Sequence, residues 1–364
     1  MEVGYSRPRR TRALTVVGLL VSLVFAYFAL RDVEFSRFWS SLASSDYWWL
    51  VPCLGALALT VFIKAVRWRL LFSPTTRPPL RAVTIALLIG HFFNNVLPAR
   101  AGDAARVVAL YQQARTSRAE SAGTVVSERI TDVLALLALL FLARPFLPSV
   151  SWLDAAALLA AVVLGVALVL VLVLARYGDR PFRAAVRPLG RIPGVPAGRF
   201  EHAAENLVRG LISFRQPRIA AANFGLAVAA TLTLALSFWF VMIGFDLRVG
   251  FGAGLLVVIA TNLAMILPSS PAAVGVFEAA ALIALKAYGV ENSLALSYAV
   301  VVHVANFVPF VVVGYAILHW HVLARRRVAV PPPAAQGASV PPVGVSPLVG
   351  AEAAARSPIG AEPY

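Results

Sequence analysis

The sequence predicts an all-α integral membrane protein with about six full transmembrane helices and two inverted re-entrant helical hairpins. Of its 364 residues, 60% are apolar and 13% are charged, whereas a soluble domain carries about 25% charged residues. Mean hydropathy is +0.80, and several apolar runs approach the roughly 20 residues that cross a bilayer as a helix. Counted by hydropathy alone, the runs would give about seven or eight spans.

The net charge of +15 does not indicate a nucleic-acid-binding protein. The Arg residues alternate with membrane-length apolar runs and do not form one basic stripe. Positively charged loops that face the anionic cytoplasmic leaflet account for the same charge. The single cysteine, Cys53, lies in an apolar run, so the sequence offers neither an intrachain disulfide nor a cysteine-based metal site.

Six apolar runs are predicted to cross the membrane. The first follows a basic, cytoplasmic N-terminus at residues 1–12 and is either an uncleaved span or a signal peptide. We favour the span, because the run is longer than a typical signal-peptide core and no small-residue cleavage pattern follows it. The predicted spans are residues 13–30, 48–72, 125–142, 152–174, 219–245 and 294–320.

Two further stretches interrupt the apolar pattern in the same way. Residues 92–106 read FFNNVLPARAGDAAR, and residues 261–278 read TNLAMILPSSPAAVGVFE. Each is an apolar run with an Asn that breaks at Leu-Pro, continues with small residues and a Gly, and ends near a carboxylate. Interrupted segments at matching places in two halves indicate a substrate site near the bilayer midplane. The residues at the predicted breaks are Pro98, Gly102, Pro268 and Gly275.

Loop charge predicts how these stretches enter the membrane. If residues 82–118 enter and return on the cytoplasmic side, the loop at 176–218, with nine Arg, stays in the cytoplasm as the positive-inside rule requires. Residues 251–287 then enter from outside, so the two broken segments point at each other and line a cavity. The membrane domain is predicted at 13–323, and 324–364 form a disordered, Pro/Ala-rich cytoplasmic tail.

Polar residues around the first break are candidates for binding a lipid headgroup. Asn94 and Asn95, at membrane depth, need hydrogen-bond partners either in a substrate or in a neighbouring helix. Asp103 and Arg106 are neighbours on a helix and form either an interfacial salt bridge or a binding site. In the second interpretation Arg106, with Arg100, pairs with a lipid phosphate, helped by free backbone N–H groups where the helix restarts.

A second group of candidates lies early in the predicted span 125–142. Glu128 and Asp132 are four residues apart and share a helix face, with Arg129 beside them. Ionisable side chains inside a membrane indicate function by default. A structural ion pair with Arg129 near the interface is the alternative, and the two interpretations are compatible.

The second break carries a third group of candidates. Glu278 lies just inside a restarting helix, where the helix dipole stabilises a carboxylate. Alternatively, Glu278 faces the cavity and pairs with a cationic headgroup or takes up a proton. Ser269 and Ser270 are either headgroup ligands or turn residues after Pro268. His303, in the last predicted span, is interpreted as a bundle residue satisfied by its neighbours rather than as a proton relay.

The sequence contains no catalytic constellation, no metal-ligand spacing and no glycine-rich nucleotide cradle. We therefore expect no metal ion, no cofactor and no enzymatic activity from this chain alone.

Several short motifs occur in a specific order along the chain: Arg67-Trp68-Arg69, Asn95-Val96-Leu97-Pro98, Gly102-Asp103 with Arg106, Glu128-Arg129 with Asp132, Leu267-Pro268, and Gly275-Val276-Phe277-Glu278. Together they resemble the lysylphosphatidylglycerol synthase transmembrane-region family, whose members are also described as flippase-like. In its bifunctional relatives this region moves aminoacylated phosphatidylglycerol between leaflets, and a separate C-terminal domain attaches the amino acid. The resemblance covers residues 12–325 and not the synthase domain, so lipid aminoacylation by this chain is not expected.

These residues and the resemblance predict a lipid translocase of the cell membrane that moves a phospholipid or a polyprenyl-phosphate-linked lipid. Because the sequence has no ATP-binding motif, we expect a gradient, a partner or downhill movement to drive transport. One alternative is an integral-membrane enzyme or accessory subunit in glycolipid or polyprenyl-phosphate synthesis. Another is a structural partner of a cell-envelope biosynthesis complex.

Overall fold

A computed structural model describes residues 20–27, 29–31, 33–97, 101–177, 216–265 and 270–328, and the regular elements in these ranges are all helical. The chain divides into a large unit, Met1–His321, and a small one, Val322–Tyr364. Residues 20–27 and 29–30 are helical. The following helices are α1 (Phe35–Ser44), α2 (Leu50–Leu70), α3 (Leu80–Val96), α4 (Gly102–Ala114), α5 (Arg118–Ala143), α6 (Ser151–Tyr177), α7 (Pro217–Gly244), α8 (Phe251–Ala264), α9 (Val276–Lys286) and α10 (Asn292–Val328). Short 3₁₀ helices lie at Tyr47–Trp49, Arg144–Phe146 and Pro271–Ala273.

Among the described residues, three helices are long and apolar enough to cross a membrane: Tyr47–Leu70, Pro217–Gly244 and Asn292–Trp320. They coincide with three of the six predicted spans and confirm an all-α membrane protein. The predicted spans at 125–142 and 152–174 fall within α5 and α6, and α5 carries three charged side chains near its middle. The first predicted span is described only from residue 20 onward. The number of crossings therefore stays a prediction.

Each predicted break separates two short helices that pack against each other. α3 ends at Val96, where Leu97 turns to an extended backbone, and α4 begins at Gly102. α8 ends at Ala264, and α9 begins at Val276 after the 3₁₀ turn. We call α3–α4 the first hairpin and α8–α9 the second hairpin. The predicted break residues Pro98 and Pro268, and the predicted ligands Arg100 and Ser269, lie outside the described residues.

Close backbone contact holds the first hairpin together. A side chain on Gly102 would overlap the carbonyl oxygen of Gly90, so glycine is required where α3 and α4 cross. The Gly102 backbone N–H donates to Asn94 Oδ1 at 2.9 Å. This bond satisfies one of the free N–H groups at the start of α4 and closes the break.

Two apolar clusters form the interior. The larger one is built mainly from α5, α7, α8, α9 and α10, and it contains the second hairpin. The smaller one joins the end of α2 to α3 and α4, with Trp68, Phe72 and Leu110 almost completely buried. Each hairpin therefore has its own core. The 3₁₀ turn Pro271–Ala273 of the second hairpin packs on α3 of the first, so the second break contacts the first hairpin.

Candidate functional site

A network of ionisable side chains joins α2, α4 and α5, and we call it the charge cluster. It brings together the predicted residues of the first break and of α5. Two cations from α2 also belong to it: Arg67, noted above only as part of the Arg67-Trp68-Arg69 motif, and Lys64, which was not a candidate. Its members are Lys64 and Arg67 from α2, Asp103 and Arg106 from α4, and Glu128, Arg129 and Asp132 from α5.

Arg67 is the fully buried centre of the cluster, with no exposed side-chain surface. Its Nε donates to Asn223 Oδ1 at 2.8 Å, its Nη2 to the Glu128 carbonyl at 2.8 Å, and its Nη1 to Asp132 Oδ1. Asn223, on α7, donates in turn to Thr131 Oγ1 at 2.9 Å. The planar guanidinium thus ties three helices together through donors that a lysine could not supply.

Arg106 is also buried, and a buried carboxylate compensates its charge. Its Nη1 donates to Glu128 Oε2 at 2.9 Å, and both side chains are less than 5% exposed. The guanidinium lies over the Trp68 ring, with Cζ 4.8 Å from the ring centroid. Trp68 is held in place by its own hydrogen bond from Nε1 to Thr124 Oγ1. In this conformation Arg106, predicted to contact a lipid phosphate, is part of the buried framework.

The accessible edge of the cluster is formed by the remaining charges. Arg129 donates to both carboxylate oxygens of Asp103, at 3.0 Å and 2.7 Å, which is the bidentate geometry expected of a strong pair. Arg129 is 41% exposed, and Asp103 and Asp132 are about a quarter exposed. A ligand can therefore reach these three side chains without unfolding the cluster.

Lys64 is the cation that the cluster leaves uncompensated. It is partly buried, one turn before Arg67 on α2. Within the described ranges it has no hydrogen bond or ion pair, although Asp132 and Glu128 attract it and Arg129 and Arg67 repel it. Four cations in the cluster face three carboxylates. With every side chain in its ordinary charge state at neutral pH, the cluster has one positive charge more than it neutralises.

The predicted Asn residues lie at the tip of α3. Asn94 accepts the hydrogen bond from Gly102, so it serves the hairpin rather than an open cavity. Asn95 is half-buried beside it. His91, one turn earlier, stacks on Phe310 of α10 at 4.5 Å, and its buried Nε2 has no hydrogen-bond partner in the described structure.

The structure gives the second break a site of its own. Glu278 Oε2 accepts from the Gly275 backbone N–H at 2.7 Å, as predicted for a carboxylate in the first turn of a helix. Its Oε1 lies 2.6 Å from Nδ1 of His303, whose Nε2 lies 3.0 Å from the Ala272 carbonyl. Ser270 is a turn residue, since its N–H donates to Ser22 Oγ and its hydroxyl donates to the Val274 carbonyl.

Sequence reasoning missed the partners that come from distant helices. Asn223 lies in the largely apolar helix α7, and nothing in its local pattern indicates an arginine ligand. The one available signal was that an asparagine is costly to bury without hydrogen bonds. For metals, the described part of the chain holds no group of three His, Cys, Asp or Glu side chains arranged to bind an ion.

Comparison with known families supports the resemblance predicted from the motifs. Residues 15–314 match the family model described as lysylphosphatidylglycerol synthase TM region. The matched range contains every residue of the charge cluster and both breaks. A comparison with curated proteins finds no match.

Proposed function

Because the chain belongs to the lysylphosphatidylglycerol synthase transmembrane-region family, we propose that it is a translocase for a lipid with a phosphate-bearing headgroup. Membership makes it a membrane protein related to lipid metabolism or translocation. The proposal also includes the cell membrane as the location of the protein, a lipid as its substrate, and a cytoplasmic position for both termini.

The observation that carries the proposal is the surplus positive charge at Lys64. A charged group in the membrane interior is costly unless it is paired. Lys64 lies six residues from the end of α2, about 9 Å along the helix. A lipid phosphodiester, which carries one negative charge, would neutralise the surplus of the cluster. The accessible Arg129 beside it could share the same phosphate.

The accessible edge also suits a headgroup that carries an amine. Asp103 and Asp132 are about a quarter exposed and lie next to Arg129. A headgroup with both a phosphate and an ammonium group would place the phosphate at Lys64 and the ammonium at these carboxylates. An aminoacylated phospholipid and a simple anionic lipid therefore both fit, and transport measurements distinguish them.

The arrangement of the hairpins along α10 supports alternating access. His303 contacts the second break, and it lies about 16 Å from the start of α10, near the middle of a roughly 30 Å bilayer core. Phe310 and Gly314 contact α3 of the first hairpin. They lie about 10 and 16 Å beyond His303 along α10. The second hairpin would then enter from the Asn292 end and the first from the opposite end. Two opposed hairpins that meet midway would allow a headgroup to pass from one side to the other.

The test is leaflet-resolved movement of fluorescent lipids in sealed proteoliposomes, with wild type compared to Lys64→Gln. We expect the variant to lose about 10- to 100-fold in transport rate at limiting lipid. The reason is that a charge-assisted hydrogen bond to phosphate contributes about 1.5–3 kcal/mol. Lys286→Gln is the matched control, because Lys286 is the other lysine of the chain and is exposed at the end of α9.

The lipids compared are phosphatidylglycerol, aminoacylated phosphatidylglycerol and a polyprenyl phosphate. Movement of one class, lost in Lys64→Gln and kept in Lys286→Gln, supports the proposal and identifies the headgroup. If none moves faster than in empty liposomes, the proposal fails. Formation of a modified lipid by the protein in detergent, where there is no second leaflet, would instead favour an enzyme.

A further inference from the structure

Glu278 and His303 form a pair whose hydrogen bonds fix the number of protons it holds. A carbonyl oxygen can only accept a hydrogen bond, so the contact with Ala272 requires a proton on His303 Nε2. The 2.6 Å contact between His303 Nδ1 and Glu278 Oε1 requires one further proton between the two atoms. Whether the second proton resides on nitrogen or on oxygen, the pair is electrically neutral.

Loss of that second proton would break the pair. Release to water leaves a carboxylate and a neutral imidazole, and the Nδ1 lone pair then faces a negatively charged oxygen. The contact becomes repulsive in a site where both side chains are only about an eighth exposed. The paired form therefore requires the second proton, and release of that proton gives the separated form.

In the part of the chain that the structure describes, the neighbours of the pair are aromatic, apolar or uncharged. His303 stacks on Phe277 at 4.4 Å, and Phe307 approaches its ring edge-on. Phe238 from α7 packs against Phe277. From the N-terminal helical segment, Ser22 and Ala26 lie against Gly275. Among the described residues, His303 is the titratable group that contacts Glu278 from a facing element, so the proton between them sets the charge of this pair.

The pair holds a strained backbone in place. Ala272 and Ala273 both have positive φ values, 62° and 57°, and Gly275 follows at 86°. A non-glycine residue in this region costs of order 1–3 kcal/mol and persists only where other contacts hold it. Beside the hydrogen bonds of Ser270, two contacts hold the turn: the bond from His303 to the Ala272 carbonyl and the bond from Gly275 to Glu278. Both depend on the two side chains that share the proton.

We propose that Glu278 and His303 form a proton-binding site that sets the conformation of the second break. While the proton is bound, the turn at residues 271–275 stays strained and docked against α10. Release of the proton allows the turn to leave α10. If the protein moves lipids, as proposed above, this site makes a proton gradient the driving force. That last step rests on the proposed function, whereas the proton switch itself does not.

The switch is tested with a fluorophore on the break. Val274 is 55% exposed, so Val274→Cys, in a Cys53→Ala background, takes a pH-insensitive environment-sensitive dye at a single position. We expect a shift in emission as the pH is raised from acidic to alkaline values, because loss of the proton releases the turn. His319→Gln is the matched control: His319 lies on the same helix and is exposed, and we expect it to keep the shift.

Glu278→Gln gives the decisive comparison. A glutamine oxygen accepts from Gly275, and its amide donates to the neutral imidazole, so this variant keeps both contacts without the shared proton. The break should stay docked as the pH rises and loosen only as the pH falls, which reverses the direction of the wild-type response. Glu278→Ala removes the contacts and should give the released emission at every pH.

Two results would overturn the switch: no shift in wild type, or a shift of unchanged direction in Glu278→Gln. Coupling to transport is measured separately, in sealed vesicles with a pH difference of about one unit and no membrane potential. If one proton moves with each lipid, we expect an approximately tenfold change in the ratio of lipid between the two leaflets. If lipid equilibrates but ignores the pH difference, proton driving is refuted and the translocase stands. If no lipid moves, the translocase fails, and the fluorescence result alone decides the switch.

Discussion

Replacing Arg67 by lysine tests whether the geometry of a guanidinium, and not only its charge, holds the charge cluster together. Arg67 is completely buried and donates to Asn223, to the Glu128 carbonyl and to Asp132. A lysine keeps the positive charge and can still pair with Asp132. It cannot reach three acceptors in different directions, because its donors sit on one nitrogen.

The expected cost follows from the two lost bonds. Asn223 is 1% exposed, and its Oδ1 would be left without its donor, which costs about 1–3 kcal/mol. The Glu128 carbonyl would lose its side-chain donor, at about 1 kcal/mol. Arg67→Lys should therefore lower the free energy of unfolding by about 2–4 kcal/mol. The measurement is reversible unfolding by sodium dodecyl sulfate in mixed micelles, followed by tryptophan fluorescence.

Arg81→Lys is the matched control, since Arg81 is exposed at the start of α3 and its change should stay within about 0.5 kcal/mol. In an Asn223→Ala background, Arg67→Lys should cost less, because the acceptor at Asn223 is already gone. If Arg67→Lys is as stable as wild type, the planar guanidinium of Arg67 is not what joins α2, α5 and α7, and the reasoning is refuted.

Further predictions concern the first hairpin and the start of α10. Gly102→Ala should destabilise the protein by more than about 2 kcal/mol, because its Cβ would overlap the Gly90 carbonyl. Gly225 lies in open space on α7, so Gly225→Ala should be neutral or stabilising by up to about 1 kcal/mol. If the two substitutions change stability equally, the close contact at Gly102 is refuted. Slight burial tends to raise the pKa of Glu291, but hydrogen bonds led by those from Ser293 lower it overall. The stability it contributes is thus present above the unfolded pKa and lost as the pH falls. Unfolding of Glu291→Gln at acidic pH should depend less on pH, and an unchanged dependence would contradict this role.

Much of the helical architecture could be predicted because it depends on local pattern. Apolar runs of membrane length mark helices without any knowledge of their neighbours. The helices restart where the predicted break residues lie, since α4 begins at Gly102 and α9 begins directly after Gly275. Pro and Gly interrupt helices through the geometry of their own backbone, so both breaks were visible in the sequence as well.

The pairing inside the candidate site could not be predicted in the same way. Spacing showed that Glu128 and Asp132 share one helix face, but not that they bind Arg106 and Arg67 respectively. His303 was interpreted as a satisfied bundle residue, and it does have two partners. Its partner Glu278, however, makes it a candidate proton site, which its own sequence neighbourhood did not indicate.

The sequence by itself determined that this chain is a helical membrane protein with two interrupted segments, because length, hydropathy and backbone geometry act within a few turns. Only the tertiary structure decided which positive charge has no carboxylate partner. Lys64 and Arg67 lie one turn apart in the same basic flank of α2 and look equivalent in the sequence. Packing of α2 against α5 and α7 buries Arg67 among acceptors from distant residues and leaves Lys64 without a partner in the described structure. Neutralisation of a charge depends on contacts between helices, and no local pattern contains them.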